Sequence, residues 1–462
     1  MKLSVYEHYS ESDILWVGQY PSHWNLTRVK YEAYVKARVG WHGLKSDDFT
    51  DEGPHLVTGS DFKGPRIRWS DCYHCDLKRY EQDPYIQLTN GDLLITKDGT
   101  IGKVALVDGL GDNEKATLNS GVFVVRPLRD NFLTKFYFWL LQSRVFTDFV
   151  NYNKTGSTIV HLYQDTFVNF AYASPDITEQ TQIANFLDHE TAKIDTLIAK
   201  QQQLIKLLKE KRQVVISHAV IKGLNPQAPM KESGVEWLGE VPEHWGVVPL
   251  KYLCRFSGGG TPSKDNLSYW TNGTTPWVSP KDMKTFWIEK TQDYVTDIAI
   301  KESSTNLVGK GALLMVVRSG ILQRTIPIAI NTVPVTLNQD MKALRFNDRM
   351  LAPFAADFIL GNVDKLLLEW SKEGATVESI EHEYLANGLF PVPPIAEQQQ
   401  IVEALSHQKE KFDELENKAT AGIKLLQERR TALISTAVTG KIDVRNWQAP
   451  STSITKILEG EV

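Results

Sequence analysis

Three cysteines in 462 residues, Cys72, Cys75 and Cys254, are too few for a disulfide framework. That usage fits a reducing, cytoplasmic setting. Long apolar runs are missing as well: the richest, FYFWLL and GALLMVV, are far too short to cross a bilayer. The opening MKLSVYEHYSESD has no basic stretch followed by an apolar one, so no secretory leader is expected and no membrane partner. There is no basic excess either. Against 51 Lys and Arg stand 56 Asp and Glu, a net charge of −5, so any DNA affinity must come from local patches or from partners.

Catalytic equipment is missing too. Gly102-Lys103 and Gly309-Lys310 lack the preceding glycine of a phosphate loop, and no dinucleotide fingerprint follows a strand. Val392-Pro393-Pro394-Ile395 is a poor imitation of the acceptor tetrapeptide of amino-methyltransferases. Cys72 and Cys75 have no second cysteine pair, so a four-ligand zinc site and any metal site are not expected. Asp282-Met-Lys284 ends like a nuclease motif but has no convincing upstream aspartate. The chain reads as a protein without a reaction of its own.

What the chain does have, it has twice. ILWVGQYPSHW at 14–24 returns as VEWLGEVPEHW at 235–245, with Trp16, Gly18, Pro21, His23 and Trp24 matching Trp237, Gly239, Pro242, His244 and Trp245. After Pro175 a long apolar-periodic run begins, and a second begins after Pro394. Glu179, Gln180, Ile183, Leu187 and Asp195 of the first recur as Glu397, Gln398, Ile401, Leu405 and Asp413 of the second. Near their ends, Arg212 and Arg430 match, as do the Leu-Leu pairs 207–208 and 425–426. A period near 220 residues is too long for a solenoid and reads as a duplicated unit of domain plus helix.

Each run predicts a helix of about 43 residues, or about 65 Å at about 1.5 Å per residue, too long to bury itself in a small domain. Leu187, Ile194, Leu197, Leu204 and Leu208 fall on one heptad-like seam, and Leu405, Phe412, Leu415, Leu426 and Leu433 on the other. These residues are expected to pair the helices with each other or to dock partners. Ala419 and Gly422 would allow close approach. The blocks between hold short strands (LLIT, VFVVRP, LLMVV, MKALRF) and helices over 132–150 and 352–370, an α+β pattern. The repeated Trp-rich phrase marks the start of each copy. It is expected to be a packed joint near the far end of the other copy's helix, with His23 and His244 held by hydrogen bonds rather than catalytic.

Two blocks with one outline and different side chains suit two readers of different targets. Base edges are read by Arg, Lys, Asn, Gln and Ser, with basic and hydroxyl groups on phosphates. The candidates are Lys63, Arg66, Arg68 and Trp69, then Lys97, Thr100 and Lys103, in the first block. In the second they are Lys281 and Lys284, then Arg318, Ser319, Gln323 and Arg324. Taken singly, each also reads as part of an ordinary solvated face.

These paired motifs carry a resemblance. The WxGxxPxxW phrases, GGTPSKDNLSYWTNGTTPW at 259–277, GST and GAT at 156–158 and 374–376, and the P-x-I-x-E-Q-x-x-I starts at 175–183 and 393–401 are similar to the specificity subunit of type I restriction-modification systems. The first block departs from this pattern, with VGWHGLKS at 39–46 where the second has GGGTPSKD. The resemblance implies two α/β target-recognition domains, 25–174 and 246–392, separated by two long conserved helices, 175–222 and 393–440, that pair as an antiparallel coiled coil in a pseudo-two-fold repeat. Segments 1–24 and 223–245 would be the conserved joints, and 441–462 a tail. It implies that each domain reads one half of a bipartite, asymmetric site on double-stranded DNA, while the helices set the gap and dock two modification (methyltransferase) subunits. Restriction (helicase-nuclease) subunits then join. No cofactor is implied in this chain; S-adenosylmethionine, ATP and Mg belong to the partners.

Two other classes compete. A stand-alone DNA-modifying enzyme would need the motifs that are absent, and a coiled-coil adaptor that binds no DNA would leave the two elaborated blocks without a purpose. A ruler has a consequence that neither rival shares. Inserting about four residues in one helix adds about one turn, roughly 5.4 Å, or between one and two base pairs at about 3.4 Å each. The tolerated gap is then expected to lengthen with both half-sites unchanged, and methylation mapping that shows the original gap would sink the ruler.

Overall fold

Alternation inside short apolar runs decides where the sheets sit. In Leu93–Thr96 every residue is buried, yet Leu93 and Ile95 belong to one core and Leu94 to another. The neighbouring strand Val122–Pro127 divides the same way: Phe123 and Val125 on one side, Val122 and Val124 on the other. A strand with period two and no polar face must lie between two layers. In the second copy Leu313 and Met315 face one core and Leu314 and Val316 the other.

This computed structural model describes residues 4–38, 48–153, 161–371 and 378–449. The candidate turns at 156–158 and 374–376, the stretch 39–46 and the tail beyond 449 lie outside them. The chain divides into two units, Met1–Gln201 with Ala421–Val462, and Gln202–Thr420. The cut therefore passes through both long helices rather than beside them.

Both units are α+β and share a topology. Unit one has a six-stranded sheet in the order Ala33–Ala37, Val122–Pro127, Leu93–Thr96, Val104–Leu106, Arg66–Ile67, Phe62–Lys63. Unit two has five strands, Cys254–Gly258, Met341–Phe346, Leu313–Val316, Ile328–Asn331 and Trp287–Ile288. In each the fourth and fifth strands pair parallel and the first four antiparallel. A three-stranded sheet with one parallel pair covers the other core: Phe49–Val57 with Ala116–Leu118, and Thr275–Val278 with Thr336–Leu337.

The helix expected over 132–150 is two helices, Thr134–Leu140 and Arg144–Tyr152. Both the N–H and the hydroxyl of Ser143 donate to the Leu140 carbonyl, which closes a turn before the chain restarts. Over 352–370 the break comes at Asn362, between Ala352–Gly361 and Val363–Trp370, and its side-chain amide donates to Phe358 O at 2.8 Å. Short side chains that bond nearby carbonyls compete with helix propagation, and apolar periodicity does not report them.

The long helices are Ile177–Lys222 and Ile395–Val438, of 46 and 44 residues. Asp176 caps the first, accepting from Glu179 N–H at 2.8 Å. Glycines at positive φ, Gly223 and Gly440, follow both ends. The helices pack antiparallel. In unit one Arg430 of the second meets Asp195 of the first at 2.9 Å, and in unit two Arg212 meets Asp413, the same pair with its partners exchanged. Of the seam residues, Leu187, Ile194, Leu405 and Phe412 are buried, Leu208, Leu426 and Leu433 are half-buried, and Leu197, Leu204 and Leu415 are exposed. Ala419 is buried, but a Cβ on Gly422 would meet open space, so that glycine marks no close approach.

The repeated phrase is the joint between domain and helices. In unit one Glu179, in the first helical turn, accepts from Tyr6 OH at 2.5 Å and Trp24 Nε1 at 3.2 Å, with His23 Nε2 at 2.8 Å. In unit two Glu397 holds Trp245 Nε1 at 3.1 Å and His244 Nε2 at 2.8 Å. The adjacent glutamines are almost wholly buried: Gln180 accepts from Leu133 N–H and Gln398 from Leu351 N–H, at 2.9 and 2.8 Å. Each phrase also meets the far end of the other copy's helix. A Cβ on Gly440 would strike Pro21 Cγ at 2.3 Å, and one on Gly223 would press on Trp245 at 3.2 Å.

Candidate nucleic-acid interface

In each unit the central hairpin of the larger sheet ends in an exposed loop. Strand Leu93–Thr96 leads through 97–103 into Val104–Leu106, and strand Leu313–Val316 through 317–327 into Ile328–Asn331. Both loops are fixed at the same point. Leu162 N–H donates to Lys97 O at 2.9 Å, and Ile380 N–H to Val317 O at 2.8 Å. The frame is thus the same in both units, while loop length and side chains differ.

The second loop is pre-organised. Residues Gly320–Gln323 form a 3-10 turn whose N-cap, Ser319, accepts from Ile321 N–H and donates its own N–H to Glu378 O at 3.0 Å. Arg318, Gln323 and Arg324 point to solvent, and neither arginine has an acidic group within 4 Å among the described residues. In the first loop Lys103 is equally exposed and unpaired among the described residues, and Thr100 is exposed beside it. Lys97 turns inward, 2.9 Å from Asp98 and over the Phe123 ring. Burial raises the Asp98 pKa, but hydrogen bonds from His161 and Lys97 outweigh it and hold the carboxyl below its usual range. The Asp98–His161 tie at 2.6 Å fixes the loop to the segment that returns beside it.

The other first-block cluster sits on the small hairpin Phe62–Lys63 and Arg66–Ile67. Lys63 and Arg68 both approach Asp71, at 3.9 and 3.4 Å, and Arg66 approaches Asp108 at 3.7 Å. Such exposed pairs are worth about 0–1 kcal/mol, so a phosphate could displace the aspartates at little cost. Trp69 donates its indole N–H to Asp108 O at 2.9 Å and packs against the second core, which leaves its ring partly covered. The structure brings this hairpin to the Lys103 loop. Phe62 and Gly64 from one, 99–104 from the other, and helix Arg144–Tyr152 enclose a concavity of about 800 Å³.

Lys281 and Lys284 are exposed near a 3-10 turn, Pro280–Asp282, closed by a Ser279–Asp282 capping box, and neither has an acidic partner among the described residues. Trp277 is buried with Tyr269 and Trp270 around it, a core aromatic. Trp287, which sequence reasoning passed over, is 55% exposed on the edge strand of the five-stranded sheet. Its signal was present, an aromatic between Lys284 and Lys290, but nothing in sequence separates it from core aromatics nearby.

No group of three or more His, Cys, Asp or Glu among the described residues could hold a metal ion. Burial pushes the Cys72 and Cys254 thiols up to about 12, far from nucleophilic use. No helix among the described residues is long and apolar enough to cross a membrane.

Comparison with known proteins gives the family and the fold. The family model described as the type I restriction modification DNA specificity domain matches residues 72–207 and 242–425. The EcoR124I/EcoR124II specificity subunit of Escherichia coli is 36% identical over 246 residues, 53% of this chain and 54% of that protein, so the alignment spans about half of that relative's length. A putative MjaX specificity subunit of Methanocaldococcus jannaschii is 24% identical over 446 residues, 93% of this chain and 96% of the relative. Among solved structures, a chain from a type I restriction-modification complex has a TM-score of 0.70 at 16% identity, covering 91% of this chain and 98% of its own length. The HsdS subunit of Thermoanaerobacter tengcongensis has a TM-score of 0.52 at 16% identity, with 92% and 98% covered, and shows the same fold. Two matched stretches, one in each copy and together more than half of the sequence, make this chain a member of the type I restriction modification DNA specificity family.

Proposed function

We propose that each unit reads one half of a two-part double-stranded DNA site through its hairpin loop, and that the chain itself performs no chemistry. The observation that carries this reading is the pair of equivalent loops: one frame, with Lys103 facing solvent in one and Arg318 and Arg324 in the other. Cations without acidic partners are free for phosphates and base edges, and a capped turn loses little entropy on binding. The negative total charge is no obstacle when the positive groups are local and partners add phosphate contacts.

The partners are modification subunits, two copies, followed by restriction subunits. Support for two copies comes from the helices. Unit one exposes Leu197 and Leu425, and unit two exposes their repeat equivalents Leu415 and Leu207. Each unit therefore offers the same apolar pair to the same kind of partner. S-adenosylmethionine, ATP and Mg serve the chemistry of those partners, and the assembly works in the cytoplasm.

The test uses the assembled complex on DNA carrying the site mapped by methylome sequencing. Replacing Arg318 and Arg324 with alanine is expected to weaken binding and flatten the dependence of log K on log salt by about 1 for each arginine that meets a phosphate. Unchanged affinity and slope would remove the loop from the interface. Methylation or cleavage by the purified chain alone would overturn the non-catalytic reading.

A further inference from the structure

The two units hold their recognition domains to the long helices through equivalent positions filled with different chemistry. The register is fixed by the Gln180–Leu133 and Gln398–Leu351 bonds, which make position 139 equivalent to 357, 188 to 406, and 191 to 409. In unit one the helix offers Asp188 and Thr191. Asp188 takes Lys135 Nζ at 3.0 Å and the Trp139 indole N–H at 2.9 Å, and Arg430 lies over the Trp139 ring at 5.6 Å. In unit two the helix offers Ser406 and Lys409. Here the acid is on the domain: Asp357, 3% exposed, is bonded to Lys409. Pro353 stands where unit one has Lys135. The charge order across the contact is thus reversed, domain cation to helix acid in one unit and domain acid to helix cation in the other.

We infer that these contacts are a key that assigns each recognition domain to its own helix, so that domains exchange freely only between positions with the same charge order. The energetics follow from burial. Moving the first domain onto the second helix would place Lys135 and Trp139 against Ser406 and Lys409. Lys409 would then lose its carboxylate and meet a second cation, and the indole would lose its acceptor. Moving the second domain onto the first helix would put Asp357 beside Asp188 with Thr191 in place of its ammonium partner, leaving it to compete with Asp195 for Arg430. A broken buried pair costs far more than a missing surface pair, because the remaining charge stays desolvated. A surface that swaps one reader for another must therefore carry its matching helix residues, or the helix must be changed with it.

The experiment is a full-length chimera in which residues 246–392 are replaced by a second copy of 25–174, made with and without Ser406→Asp and Lys409→Thr, which give the second helix the side chains of the first. Thermal melting is the readout, and it needs no DNA, so its failure is separate from failure of the DNA-reading proposal. The two helix substitutions are expected to raise the chimera's melting midpoint, and to lower that of the parent by on the order of 5–10 °C because they strand Asp357. The sign reversal is the signature. A chimera that melts like the parent without the substitutions would overturn the key, as would substitutions that shift both proteins the same way or leave the chimera no more stable.

Discussion

Replacing Glu179 with alanine is expected to destabilise unit one by about 3–5 kcal/mol, on the order of 10 °C in its melting midpoint. Three donors converge on this one carboxylate, and two of them, Tyr6 and Trp24, are themselves buried. Removing the acceptor leaves them without partners, and a buried unpaired donor costs about 1–3 kcal/mol. Burial, and then the hydrogen bond to Glu179, push the Tyr6 phenol above its ordinary value, so it remains a proton donor at any working pH. Glu397 offers the internal control. It holds two donors rather than three and its side chain is 28% exposed, so water can replace it. Its alanine variant should cost about 1–2 kcal/mol, and calorimetry on both variants reads the difference. Equal losses would show that Tyr6 and the deeper burial add nothing.

The second large effect concerns stoichiometry. With Leu197→Asp the chain should capture one modification subunit instead of two, and with Leu197→Asp and Leu415→Asp together, none. Both leucines are about half exposed, 48% and 47%, so the substitutions should leave the chain's own melting nearly unchanged. Under a docked partner each aspartate would be desolvated opposite apolar groups, a cost of about 4 kcal/mol or roughly 1,000-fold in affinity. Native mass spectrometry of the co-expressed complex counts the copies directly. A double variant that still carries two partners would move the docking surface elsewhere.

Much of this architecture was legible in the residues. The repeat, the two long helices and the strands at 93–96, 122–127 and 341–346 follow from prolines, periodicity and alternation, because these report burial directly. Glu179-Gln180 was visible as a repeated dipeptide, but its role was not: a carboxylate that binds Trp24, 155 residues earlier, and an amide that binds Leu133, 47 residues earlier, leave no local trace. The two broken helices were missed because Ser143 and Asn362 act through hydrogen bonds to carbonyls three or four residues back, which apolar periodicity does not report. The candidate interface was legible as composition only. Lys63 and Lys103 are forty residues apart in the chain, and it takes the folded hairpins to bring their loops to one concavity.

Unit one is assembled from both parts of the sequence. Its main core holds Tyr6, Trp24 and Leu187 together with Ile434, Ala437, Val438, Val444 and Trp447, whereas unit two is one uninterrupted stretch. A ribosome makes residues in order, so every residue of unit two exists before unit one has the last of its core. The recognition domain nearer the start of the gene thus finishes folding second. Until the ribosome has passed residue 447, its apolar surface waits uncovered while unit two can already be complete, and translation pauses beyond residue 420 would prolong that exposure.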